Sequence, residues 1–249
     1  MKTLKTIGAL LICCSSFGQG KSSYNTYESD GDSTFWFKYQ TTITRKLSLP
    51  LLDTTTRVEY FRIWTDKQAI DLWFDENENF AGTLTTWTDE YAPYNEEPTN
   101  RTFTKAKKLT LDTALLLGKL ISSSGISYLP TGDSIKGWQN GYDGITYVVE
   151  HATKNNYSFK TYWTPKAQDS LQEAKLVQSF IDTALSLSNA QIVWKEFSKE
   201  IPFESYYNGG PGVTVRFLTK KERAKYKKER QRYRQQQLLK SKAAESQSN

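Results

Sequence analysis

The sequence has little of what reaction chemistry usually needs. Of 249 residues, 2 are cysteine, 1 is histidine and 1 is methionine. Cys13 and Cys14 both fall in the N-terminal stretch MKTLKTIGALLICCSSFGQG, so the chain beyond residue 20 has no thiol. It can form no disulfide and offers no thiolate as nucleophile or metal ligand. No apolar run approaches the roughly 20 residues that span a bilayer. The turn-like DENEN at residues 75–79 lacks the alternating ligands and glycine of a calcium loop. NGGPG at 208–212 is not followed by the Lys-Ser/Thr of a phosphate-binding loop, and reads as a tight turn before a strand. No cofactor and no metal are expected.

The N-terminus has a clear plan. Lys2 and Lys5 precede an apolar run from Ile7 to Cys14, and small and polar residues follow to Gly20. This is the layout of a cleaved secretory signal over residues 1–20, and it implies a periplasmic or extracellular protein. A lipidated form is the lesser alternative, because neither cysteine is preceded by a small residue.

Charge divides along the chain. Residues 219–249 carry 11 Lys/Arg against 3 Asp/Glu and the first 20 residues add 2 Lys, so the total of +6 leaves residues 21–218 at −4. A mildly acidic body therefore carries a strongly basic tail. Aromatics reach 14%, with 7 Trp, 15 Tyr and 12 Phe, which excludes a mainly disordered chain and favours strands.

After a polar, flexible lead-in at 21–33, one α+β domain is expected over 34–218. TFWFKYQTTIT alternates as a strand does. VEYFRIW and AIDLWF form a hairpin across TDKQ; facing Trp64 with Ala69 sets Ile63 against Ile70, Arg62 against Asp71 and Phe61 against Leu72. FAGTLTTWT and RTFTKAKKLTL continue the sheet. A helix follows with Asp112 as its N-cap candidate, Leu115, Leu116, Leu120 and Ile121 as its apolar stripe and Gly125 as its stop. GITYVVEH and YSFKTYWT make a second hairpin. Thr164 and Pro165 open a long amphipathic helix, and IVWKEFSKEI forms a shorter one before a possible last strand, VTVRFL. The expected architecture is antiparallel hairpins packed against two or three helices, with a basic helix over 219–249 projecting from the body. Thr219 and Glu222 form its capping box.

Several candidate sites follow. Tyr60, Arg62, Trp64, Asp71 and Trp73 share one face of the first hairpin, where an Arg-Asp pair among large aromatics suits a sugar ring or a peptide. The rival reading buries the same residues beneath a helix. His151 and Glu150 point to opposite faces, with Lys160 expected diagonally near Glu150, and a His-based triad or metal site would need further partners on the histidine's side. Lys220, Lys221, Arg223, Lys225, Lys227, Lys228, Arg230, Arg232 and Arg234 make an anionic-surface candidate. For an exported protein, envelope lipids, acidic glycans or another protein are better partners than nucleic acid.

The signal ending in SFGQ, together with DGITYVVE, YSFKTYWTP and the long helix after them, resembles uncharacterised exported proteins of Bacteroidetes-type bacteria. The resemblance implies export and a helix-packed antiparallel hairpin, and no activity. The leading expectation is a non-catalytic protein that binds an envelope or extracellular partner. The alternative is a glycan-active hydrolase using paired carboxylates.

Overall fold

The computed structural model describes residues 21–26, 33–74, 80–92, 99–168, 170–208 and 212–247. The expected signal, both cysteines, the DENEN turn and the centre of NGGPG lie outside the described residues.

The expected α+β architecture is present. Nine strands are described: β1 Ser22–Tyr24, β2 Glu59–Trp64, β3 Gln68–Phe74, β4 Phe80–Asp89, β5 Thr102–Lys108, β6 Thr146–Thr153, β7 Asn156–Trp163, β8 Ser205–Tyr207 and β9 Val213–Val215. Five α-helices are described: α1 Phe35–Lys46, α2 Leu111–Ser124, α3 Gln172–Leu187, α4 Ala190–Glu200 and α5 Lys220–Gln247. Seven strands form one sheet in the order β1-β7-β6-β2-β3-β4-β5, antiparallel except where β1 meets β7, and β8 and β9 form a small separate hairpin. The β2–β3 register is the one read from the sequence, Trp64 to Ala69 through Tyr60 to Trp73. A one-residue slip would have turned Ile63 and Leu72 out of the apolar layer they share.

The sheet lies between two helical layers. On one face Phe61, Ile63, Ile70, Leu72, Leu84 and Val149 pack against α2 and α3. On the other, Tyr60, Trp64, Val148, Tyr157 and Phe159 pack beneath α1 and Leu52. A third, smaller core gathers Phe197, Ile201, Phe203, Tyr206 and Tyr226 beyond β4 and β5.

Four local expectations are corrected. The lead-in enters the fold, since its Ser22–Tyr24 pairs with β7 as the parallel edge strand β1. Residues 35–46 form a helix instead of a strand. Gln40, Ile43, Thr44 and Leu47 supply its buried face at steps of three and four, and Thr34 Oγ1 accepts from the Phe37 N–H at 3.3 Å. The aromatic alternation that suggested a strand does not follow burial, since the adjacent Trp36 and Phe37 both reach the sheet while Phe35 and Tyr39 stay exposed. The long helix begins at Gln172, since Pro165–Ala167 is a single 3-10 turn and Thr164 has φ 37°. Gln168 holds that turn away from the helix: its side chain accepts from Gln139 N–H at 3.1 Å and donates to Gln139 C=O at 2.7 Å. α2 is capped by Thr110 and not by Asp112, and it buries Ala114, Leu117, Gly118 and Ile121. Leu115 and Leu116, assigned to the buried stripe from spacing, are 45% and 49% exposed.

Candidate binding cleft

The constellation Tyr60, Arg62, Trp64, Asp71 and Trp73 comes together on one face, and that face is covered. Arg62 has an exposure of 0% and Asp71 of 1%; only Trp73 keeps a partly open ring. Arg62 Nε donates to Asp71 Oδ1 at 2.5 Å and its Nη1 to Pro50 C=O at 3.0 Å. Glu150 joins from β6. It accepts from Trp64 Nε1 at 2.5 Å and from the Tyr157 hydroxyl at 2.6 Å, with Arg62 Nη1 at 3.9 Å. Burial raises the Asp71 and Glu150 carboxyls above their usual range, and Arg62 pulls them only part of the way back. The space beside Glu150, about 10 Å³, has room for no more than one water. An exposed recognition surface is therefore corrected to a closed ionic core beneath α1. α1 was missed because residues 35–43 alternate like a strand.

His151 stands on the opposite face and has a partner that the sequence reading did not name. Its Nε2 lies 3.0 Å from Glu59 Oε1, and its ring stacks on Phe61 with centroids 3.9 Å apart and planes at 8°. β6 lies beside β2, with His151 opposite Phe61 and Glu59 opposite Thr153, so Glu59 and His151 are diagonal neighbours. Only the order of strands brings them together, and local patterning does not encode that order. Lys160 is also corrected. It faces Val149 across the β6–β7 ladder, which places it on the His151 side of the sheet and not near Glu150. Its Nζ donates to Ile126 C=O at 3.3 Å and Ser127 C=O at 2.8 Å, and burial lowers its pKa. Lys160 thereby ties the chain after α2 to the sheet.

Glu59, Phe61 and His151 border a cleft of about 970 Å³ between α2 and the end of the sheet where β2 starts and β3 and β6 finish. Phe61, Leu72, Phe74 and Phe80 line it from the strands, and Leu115 and Leu116 from the helix. The Glu59–His151 pair supplies its polar corner. At Gly118 the helix approaches the sheet closely: an added Cβ would lie 2.6 Å from Phe80 Cζ. Further along, Ser127 and the 89% exposed Tyr128 also line the opening. Exposed leucines that a packing stripe would have hidden are thus the lip of a pocket. No family model, curated protein or solved structure matches this chain. Among the described residues, no three His, Cys, Asp or Glu side chains are grouped to hold a metal ion.

The basic C-terminal helix is docked over its first half, which corrects the expected projection from its start. Its capping box is formed: Thr219 N–H donates to Glu222 Oε2 at 2.8 Å, and Glu222 N–H to Thr219 Oγ1 at 3.3 Å. Tyr226, 7% exposed, donates its hydroxyl proton to Glu90. Glu90 also accepts from Thr99 Oγ1 and has Arg101 Nη1 at 3.7 Å and Arg230 Nε at 3.5 Å. Arg223 Nε meets Glu204 Oε1 at 3.1 Å. Arg223 and Arg230 are thus turned toward the protein's own acids, while Lys220, Lys221, Lys225, Lys227, Lys228 and Arg232 remain exposed and Arg234 is half-buried.

Proposed function

We propose that this is an exported, non-catalytic binding protein that takes an apolar group of its ligand into the cleft between α2 and the sheet. The observation that carries the reading is an open pocket of about 970 Å³ lined by Phe61, Phe74, Phe80, Leu115 and Leu116, with Glu59 and His151 at one corner. Such a volume suits a small molecule or an acyl chain, and apolar walls with a few fixed polar groups are the usual composition of a ligand site. The polar corner gives the ligand an orientation: a hydroxyl, amide or amine head has a carboxylate and an imidazole to meet. A hydrolase built on Asp71 and Glu150 draws no support from their burial around Arg62.

N-Phenyl-1-naphthylamine, a neutral apolar dye with one N–H, tests the cleft directly. Saturable fluorescence enhancement is expected, together with at least a tenfold loss of affinity in Leu116→Glu at unchanged melting temperature. Absence of saturable binding, or equal binding by Leu116→Glu, would sink the proposal. The export half rests on residues 1–20 and is tested by the intact mass of the protein recovered from its native cell. A chain starting near Lys21 is expected, and a retained N-terminus contradicts it.

A further inference from the structure

Docking fixes which side of α5 faces outward. Tyr226, Arg230 and Tyr233, at i, i+4 and i+7, turn toward the body, where Tyr226 and Arg230 meet Glu90 and the Arg101 guanidinium lies 5.8 Å from the Tyr233 ring. The opposite side then carries Lys221, Lys225, Lys228, Arg232 and Leu239, again separated by helical steps and all exposed. Lys225 reaches Glu229 only at 3.9 Å and stays 79% exposed. At 1.5 Å per residue the row runs for about 27 Å. Leu238 and Leu239 lie exposed at its far end, and Phe217 is fully exposed just before the helix begins.

We propose that this outward row of α5 is a contact surface for an anionic phospholipid bilayer, independent of the cleft. Four cations in a straight row can all reach a flat anionic surface at once, whereas the mildly acidic body is repelled from it and so held outward. The apolar ends favour lipid over a polyanion, since Phe217, Leu238 and Leu239 gain from entering a bilayer interface and nothing from a phosphate chain. The tyrosines of α5 face inward, so the row offers no aromatic platform on which unpaired bases could stack. Attraction is electrostatic first, because the apolar residues sit at the ends and not along a face.

Sedimentation of the full chain with phosphatidylcholine vesicles, with and without phosphatidylglycerol, tests this. Binding is expected to increase with phosphatidylglycerol and to fall as salt rises. Charge reversal of Lys221, Lys225, Lys228 and Arg232 to Glu should remove that increase, at roughly fivefold for each positive charge lost. Leu239→Gln should weaken vesicle binding several-fold and leave heparin binding unchanged. Circular dichroism melting of each variant separates surface effects from unfolding. The proposal is overturned if folded charge-reversed protein still binds anionic vesicles as the parent does, or if the parent binds heparin or DNA but not these vesicles.

Discussion

Glu59 Oε1 and His151 Nε2 lie 3.0 Å apart on neighbouring strands, at a polar corner of a cleft whose strand walls are mostly apolar. The imidazole is held from two directions, by this hydrogen bond and by the Phe61 ring stacked beneath it. It is therefore a fixed feature of the cleft wall.

Gly118→Ala probes the cleft's shape. The new methyl group would press on the Phe80 ring, whose far edge is 2.6 Å away and whose free side is the cleft. The gain in helix propensity, about 1 kcal/mol, offsets the crowding. The expected outcome is a change in stability below about 1 kcal/mol by urea unfolding, with dye binding weakened several-fold as Phe80 moves into the cavity.

Arg62→Met leaves Asp71 and Glu150 buried without their cation, and urea unfolding at pH 7 should show a loss of about 3–5 kcal/mol. The pH dependence has a definite sign. Both carboxyls are raised in the folded state, so their contribution to stability is complete below the unfolded value near about pH 4 and is lost as pH rises through the folded value. Compared with Asp71→Asn/Glu150→Gln, the parent protein should lose stability as pH rises from about 4 toward neutrality. An identical pH profile in both proteins would contradict this account of the ionic core.

Tyr226→Ala tests whether α5 belongs to the body. It removes a buried ring from the third core and leaves Glu90 without one of its donors. A destabilisation of about 3 kcal/mol is expected, which for a chain of this size lowers the melting temperature by roughly 10 °C. Deleting residues 219–249 should cost at least as much.

Legibility from the sequence followed the range of the interactions. The β2–β3 hairpin was readable to the residue, because a short loop and alternating apolar faces determine pairing locally. The capping box at Thr219 was equally local. α1 was not legible, since FWFKYQTTIT fits a strand until Ile43, Thr44 and Leu47 are seen to be buried together. Tyr226 is one of two aromatics in an otherwise basic and polar stretch, and its partners come from α4, β8 and the residues around them. The cleft was hidden for a related reason. Leu115 and Leu116 have the spacing of core residues, and only the placement of α2 over the sheet shows that they face an opening.

The sequence contains 1 histidine, so the imidazole resonances of untagged protein belong to His151 without further assignment. Titrating N-phenyl-1-naphthylamine while following those resonances by NMR tests the cleft as the binding site. The account predicts a saturable shift of the His151 ring signals with the same midpoint as the dye's fluorescence. Saturating fluorescence with unmoved His151 signals would place the dye elsewhere and contradict the account.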